Sequence, residues 1–327
     1  MIWNRFFSTF LLAACGLVLV AAVFFGVVRH TLDLGALSQE PQYLYIENGD
    51  SLRGIARKAR DLGLVQRSWH FVLAARLLGQ ETQLRAGEYS INPRAGLRDI
   101  ITKIAAGDVH YRKVLVPEGM SVAQVESILL AAPGLVWDGY EPPVEGSLLP
   151  ETYYFTRNEK VSALILRMQE NLQRELDMLW ENRAADLPFD TKEEALILAS
   201  IVEKETGQAI ERPLVAAVFT NRLKRGMRLQ SDPTVVYGIT MGEPLGRRLT
   251  LADLKQDTGY NTYRTGGLPP TAIANPGLGS IVAVLSPAAV KYLYFVADGT
   301  GGHAFATSLK EHNRNVARWR RIRAAGQ

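Results

Sequence analysis

The chain has 327 residues, of which 47% are hydrophobic and 21% charged, and a net charge of +4. That length suits two or three domains, and the balance is ordinary for a globular chain. No Lys/Arg block reads as a nucleic-acid tract, so no nucleic-acid partner is expected, and the single cysteine excludes an internal disulfide.

The first element is "FFSTFLLAACGLVLVAAVFFGVV", Phe6 to Val28, which carries no charge. Roughly 20 apolar residues cross a bilayer, so this run predicts an uncleaved transmembrane helix; a signal peptide usually has a shorter apolar core. "LAAC", ending at Cys15, resembles a lipoprotein processing box, but the chain stays apolar after the cysteine, where lipoproteins turn polar. Cys15 therefore reads as a small residue within a membrane helix. Arg5 and Arg29 flank the run on both sides. The short N-terminal piece and long C-terminal part favour an N-in, C-out orientation, since long domains translocate largely regardless of charge. Residues 31–42 read as a short polar linker.

"YLYIE" then alternates like a strand, "NGDS" offers a turn and a cap, and "LRGIARKARDLG" has helical spacing closed by Gly63. "SWHFVLAARLLG" predicts a second helix, "LRAGEYSI" a hairpin leading into a strand, and "GLRDIITKIAAG" a third helix ending at Gly107. "YRKVLVPEGMSVAQVESILL" repeats the opening plan: Gly49-Asp50-Ser51-Leu52 with Ile55 matches Gly119-Met120-Ser121-Val122 with Val125. Each Ser fits a helix N-cap. The first copy, "GDSLRGIA" after a strand, also resembles the LysM signature. LysM modules bind N-acetylglucosamine-containing glycans.

A larger domain follows from about residue 110. "EGSLLPETYYF" is a loop running into an aromatic strand, and "VSALILRMQENLQRELDMLW" an amphipathic helix. "TKEEALILASIVEKETG" is another helix, with Thr191 as cap and Glu194 at capping-box spacing. A helix with Asn221 and Arg222 comes next. Pro and Gly concentrate between residues 226 and 280, where loops on a rigid scaffold carry sites. "YLYFVAD" reads as a strand, and the basic "RNVARWRRIR" as a solvated helix end.

"LASIVEKETG" carries charge straight out of an apolar run. On a helix the face neighbours of Glu203 are Ala199, Ser200, Thr206 and Gly207, all small, which leaves room for a bulky ligand. Glu205 sits about 200° away on the wheel and shares no face with it. Glu203 is either a tuned acid or an ordinary charge paired to Lys204 or Arg212. The five histidines are scattered, and no zinc motif, nucleophile elbow, Walker loop or dinucleotide fingerprint is present, so neither metal nor cofactor is expected. The loops supply Gln230, Ser231, Asp232, Thr234, Tyr237, Asn261, Tyr263 and Asn275. Neutral donors and aromatic faces suit polyhydroxylated sugars. Glycosidic cleavage needs an acid at the leaving oxygen. A second carboxylate then activates water or forms a covalent intermediate, or an internal hydroxyl attacks instead.

"LASIVEKET", "NRLKRGMRLQSDPTVVYG", "YNTYRTGGLPPTAIANPG", "YLYFVADGTGGHAFATSLKEHN" and "EGSLLPETY" together resemble the MltG-type (YceG-like) endolytic murein transglycosylases. The match is dense, in order, and runs from the membrane helix to the last helix. The resemblance implies an α+β protein: residues 1–30 a cytoplasmic stub and transmembrane helix, 31–42 the linker, 43–110 a LysM-like small α/β module, 111–327 a larger mixed α+β catalytic domain. It implies a single-pass inner-membrane protein with its C-terminal domain in the periplasm. The implied reaction is lytic cleavage between N-acetylmuramic acid and N-acetylglucosamine in nascent peptidoglycan strands, leaving 1,6-anhydro ends and terminating elongation. The family's catalytic glutamate falls on Glu203. Ser200, Gln230, Asp232, Thr234, Tyr237, Asn261, Tyr263, Asn275 and His303 are substrate-binding candidates, and structural pairing is expected for Glu205. Peptidoglycan strands, the inner membrane and a peptidoglycan synthase complex are the expected partners. Two alternatives remain at this point: a hydrolase using water, with Asp232 as second carboxylate, and a non-catalytic glycan-binding cell-division scaffold.

Overall fold

The computed structural model describes residues 2–33 and 35–325. Leu34, within the stretch read as a linker, lies outside the described residues, as do Met1, Gly326 and Gln327. The chain divides into two compact units, Met1–Arg112 and Lys113–Gln327.

In the first unit, helix α1 (Ile2–Asp33) contains a segment, Ala14–Asp33, long and apolar enough to cross a membrane, with a mean hydropathy of 1.9. It is followed by β1 (Gln42–Ile46), α2 (Leu52–Asp61), α3 (Ser68–Leu77), β2 (Gly87–Ile91) and α4 (Leu97–Ala106). The alternation in β1 turns Leu44 and Ile46 into a core shared with Phe71, Tyr89 and Ile100. β2 is not one arm of a local hairpin. It pairs antiparallel with β1, Leu44 opposite Tyr89, across the two intervening helices. Nor do residues 35–37 form a free linker: Ala36 N–H donates to Ala95 O and Leu37 N–H to Gly63 O, both at 2.9 Å. Leu32, in the last turn of α1, is buried in the same core, so the end of the helix is packed into the module. Gly107 closes α4 at φ 73°, the left-handed conformation that favours glycine. Glu88 is buried and takes a two-pronged bond from Arg112 at 2.8 and 2.9 Å, which compensates its lost hydration.

The second unit is mixed α and β with small sheets. β3 (Arg112–Leu115), at the boundary, pairs with β5 (Thr152–Phe155). α5 (Val122–Ala131) leads to β4 (Leu135–Val136), which pairs parallel with β6 (Glu159–Lys160). The helices α6 (Val161–Glu181), α7 (Lys192–Glu205), α8 (Arg212–Lys224), α9 (Asp232–Thr240) and α10 (Leu278–Leu285) build the main mass. β7 (Tyr294–Ala297) and β8 (His303–Ala306) form an antiparallel ribbon, and α11 (Leu309–Ala325) ends the description with an exposed basic surface. Thr191 and Glu194 close the capping box that starts α7. From Leu198 to Val202 every residue of α7 is buried, because α8 and α10 both pack against this helix. That enclosure explains the apolar run, and it carries Glu203 out of the core at the helix's last turn.

Candidate active site

Glu203 lies at the C-terminal end of α7, where the helix dipole opposes a negative charge. Its side chain is only 6% exposed. The compensation comes from α10, whose N-terminus meets the carboxylate. Gly277 N–H, at the N-cap of α10, donates to Glu203 Oε2 at 3.1 Å, and Ser280 Oγ donates to the same oxygen at 2.7 Å. Free N–H groups and the positive helix end both favour an anion there. Oε1 receives only Arg212 Nη2, at 3.4 Å. One oxygen is thus held, and the other is nearly unengaged.

Arg212 makes its tighter pair elsewhere, with Glu118 Oε2 at 2.9 Å. Glu118 is a second carboxylate joined to Glu203 through one guanidinium, and sequence reasoning missed it. The signal was the "PEGMS" turn, where Glu118 stands just before the repeated glycine. Arg212 had been named only as a pairing alternative for Glu203. Two glycines make the arrangement feasible. A Cβ on Gly277 would overlap the Glu118 carboxylate, and one on Gly279 would overlap the Arg212 guanidinium.

The turn around Gly119 forms the neighbouring wall. Gly119 N–H donates to Asn275 O at 2.9 Å, Asn275 N–H donates to Met120 O at 2.8 Å, and Lys204 Nζ donates to Gly119 O at 3.0 Å. A cleft of about 400 Å³ opens beside this wall, lined among others by Gly119, Ser121, Lys204, Asp232, Tyr237 and Glu243. A larger groove of about 580 Å³ lies by Glu193, Leu196 and Ile197. Those residues lie about 9 to 15 Å along α7 from Glu203 at 1.5 Å rise per residue. The smaller cleft, beside Lys204 and Gly119, is the one near the acid.

The small face of Glu203 is not a ligand floor. Ala199 and Ser200 are fully buried, and Ser200 Oγ accepts Ile273 N–H at 3.0 Å, so the 273–280 segment fills the space that small side chains leave. The other candidates divide by burial. Thr234, Asn261 and Asn275 are fully buried with their polar groups engaged inside the protein. Thr234 Oγ1 meets Ser231 O and Thr262 Oγ1, Asn261 Nδ2 donates to Leu254 O and Gln256 O, and Asn275 Nδ2 donates to Met120 O. Together with Ser200 they hold loops and offer no face to a sugar. Asp232 and Gln230 are exposed, and Asp232 and Tyr237 line the cleft. Tyr263 donates to Asp232 Oδ1 at 2.7 Å, and Tyr237 OH donates to Glu145 Oε2 at 3.3 Å. Burial, with these carboxylates close by, pushes both phenols up, so they serve as donors. His303 is engaged by Glu211: its Nδ1 lies 2.7 Å from Glu211 Oε2, and its backbone N–H donates to Glu211 Oε1 at 2.7 Å. Burial works against the Glu211 charge, but the bonds from His303 and Thr206 outweigh it and hold the carboxyl below its usual range.

Glu205 points away from Glu203, as the helical wheel requires. Burial drives its carboxyl up to about 7, opposed by a hydrogen bond from Ser231 Oγ and raised further by Asp232. Asn221 and Arg222 on α8 clamp the segment before β7: Asn221 Nδ2 donates to Val290 O and Tyr292 O, and Arg222 Nε to Leu293 O.

The YceG-like family model matches residues 44–318. An endolytic murein transglycosylase of Bacillus subtilis is 28% identical, over 82% of this chain and 82% of its own length. An endolytic murein transglycosylase of Streptococcus pneumoniae is also 28% identical, over 92% of this chain and 63% of its own length. A crystal structure of a yceG-like protein from Listeria monocytogenes superposes with a TM-score of 0.54 at 28% identity, over 85% of this chain and 99% of that one. With a family model spanning both units and a solved relative of the same fold, the chain belongs to the YceG-like family.

Proposed function

We propose that this protein is an endolytic lytic transglycosylase that cleaves the bond between N-acetylmuramic acid and N-acetylglucosamine in nascent peptidoglycan and leaves 1,6-anhydro ends. The observation that carries the reading is Glu203: a nearly enclosed carboxylate with one oxygen held by the α10 N-terminus and the other nearly unengaged, in a chain whose relatives bear that activity's name. Glu203 acts first as acid. Its proton passes from Oε1 to the glycosidic oxygen as that oxygen's bond to the muramic C1 breaks. The resulting carboxylate then takes the proton of the muramic 6-hydroxyl while that oxygen bonds to C1. Glu203 ends protonated, ready for the next cycle, and no water is consumed. The second step is intramolecular and gains from proximity. Gly277 and Ser280 keep Oε2 fixed throughout, so the carboxylate need not reorient between its roles. Arg212 orients Oε1, and Glu118 keeps most of the guanidinium's charge to itself.

Asp232, Tyr237 and Gln230 are assigned to sugar contact because they are exposed or line the cleft, with Tyr263 orienting Asp232. Ser200, Thr234, Asn261 and Asn275 position the loops, and His303 braces the β7–β8 ribbon through Glu211. The 43–110 module is read as LysM-like, supported by "GDSLRGIA" opening α2 straight after strand β1. The chain is read as a single-pass inner-membrane protein with everything after α1 in the periplasm, where peptidoglycan lies, and with a peptidoglycan synthase complex as partner.

The test uses oxygen-18 water. Lytic cleavage leaves muramic ends unlabelled and lighter by one water than hydrolytic ends. Labelled reducing ends as the main product would overturn the mechanism and make Asp232 or Glu118 the second carboxylate of a hydrolase. No cleavage at all would leave the non-catalytic scaffold.

A further inference from the structure

The first unit carries a cationic groove that the cleavage reaction does not use. It lies between α2 and α3, has a volume of about 700 Å³, and is lined by Arg53, Arg57 and Arg76 with Trp69 and Val72. Among the described residues, no carboxylate lines it. The acids of the neighbouring turns are occupied elsewhere: Asp50 and Glu47 pair with Lys58, and Asp61 with Arg60. All three groove arginines are exposed, so their charge faces the groove and solvent. Ser68 Oγ, buried and without a hydrogen-bond partner, also lines it. The groove therefore offers guanidinium forks and an aromatic face, the set that takes a phosphate attached to something apolar.

Its place in the chain says which phosphate. α3 packs against α1, and His70 of α3 lies within the electrostatic reach of His30, two residues beyond the end of the uncharged run. Trp69 is the next residue, its ring 3.9 Å from that of His70 between centroids, and it is 54% exposed. An exposed Trp beside the point where an apolar helix leaves its apolar run matches the aromatic belt of membrane proteins, and arginines at that level meet lipid headgroups. Leu32 of α1 is buried in the module's core, so the module cannot swing away from the helix end.

We propose that the α2–α3 groove binds the phosphate headgroup of an anionic phospholipid, seating the module on the bilayer surface. The inference rests on reading α1 as a membrane anchor and is independent of the role of Glu203. It differs from a glycan site in that neutral sugars have no use for three unpaired guanidiniums.

The test uses the full chain in uncharged maltoside micelles, with hydrogen exchange followed in residues 51–58 and 68–76. Short-chain phosphatidylglycerol, short-chain phosphatidylcholine, inorganic phosphate and an N-acetylglucosamine oligomer are titrated separately. Phosphatidylglycerol is expected to slow exchange in both segments. The triple variant R53Q/R57Q/R76Q should weaken that response on the order of a hundredfold, given the usual contribution of each basic residue at an anionic surface. The three side chains are exposed, so the variant should melt with the wild type, and single R76Q should give an intermediate response. Equal protection by phosphatidylcholine overturns the charge assignment. Equal protection by inorganic phosphate makes this a soluble-anion site, and protection by the sugar oligomer alone makes it a glycan site; either result overturns the proposal. The same titration on E203Q separates the two readings, because its lipid response should be unchanged whatever becomes of cleavage.

Discussion

Two turn-and-helix units of this chain share one local grammar and meet different fates. In both, a glycine with positive φ, Gly49 at 88° and Gly119 at 75°, turns the chain into a helix capped by a serine. Ser51 accepts Gly54 N–H, and Ser121 accepts Gln124 N–H with the reciprocal bond that completes a capping box. The first turn stands open: a Cβ on Gly49 would meet nothing, and Asp50 is held only by Lys58 and the Glu47 N–H. The second is clamped between Asn275, Lys204 and Glu203, and Ser121 is buried. A capped turn is a part that any helix start can use. What it serves is decided by what the rest of the fold packs against it.

The comparison can be pressed hardest at Glu203. Glu203→Gln keeps size and, with its amide oxygen in the place of Oε2, the bonds from Gly277 and Ser280, but not the weak Arg212 bond or proton exchange, and should lower strand cleavage by at least about 10²-fold with the fold intact. Mass spectrometry of anhydro ends and a melting curve check both halves, and near-normal turnover would remove the clamped turn from the active site. A different readout applies to Glu205, whose folded-state carboxyl is raised to about 7 from 4.5. Between these values the folded state holds a proton that the unfolded chain has lost. Stability is therefore greatest below about 4.5 and falls as pH rises towards about 7, by something on the order of 3 kcal/mol. Urea unfolding across this range should show the slope in the wild type and lose it in Glu205→Gln. An unchanged slope in the variant would assign the titration to another group.

Smaller effects test the clamp itself. Gly277→Ala places a methyl where Glu118 lies, and Glu118 is exposed enough to swing aside. Cleavage should fall about tenfold as Arg212 loses that partner, with a loss of stability below about 1.5 kcal/mol, since the displaced group is a flexible side chain. A large stability loss with normal turnover would show that the pair is structural. Last come the caps. Ser51→Ala and Ser121→Ala should each cost about 1 kcal/mol in denaturant unfolding. Only Ser121→Ala should also slow turnover, by a few-fold, because only that turn borders the cleft. Equal effects on turnover would erase the distinction between the two units.

Much of the local structure was legible before any coordinates. Thr191 and Glu194 announced the start of α7, Gly107 the end of α4, and alternation in "YLYIE" a strand, because caps and periodicity depend on near neighbours only. The pairing of β2 was not legible, since its partner lies two helices back and a turn signal cannot report it. Residues 31–42 looked polar and short, and so like a linker, yet 35–37 bond to Ala95 and Gly63 through their backbone, which composition does not display. Polar loop residues looked alike as sugar contacts. Burial separates Asn261 and Asn275, which tie loops together, from Asp232, which lines the cleft.

The sequence by itself determined most of the helices and strands, though not α9, α10, β4, β6 or β8, together with the long apolar run at the N-terminus, the family, and the glutamate that stands at the end of a buried helix. These follow from spacing and side-chain type within a few turns of chain. Tertiary structure alone decided that the negative end of α7 meets the positive end of α10 at Glu203, and that Glu118, 85 residues earlier in the chain, shares its arginine. A carboxylate's working state depends on the donors and charges within a few ångströms of it. Those come from segments far apart in the chain, brought together when the apolar faces of α7, α8 and α10 are buried against one another.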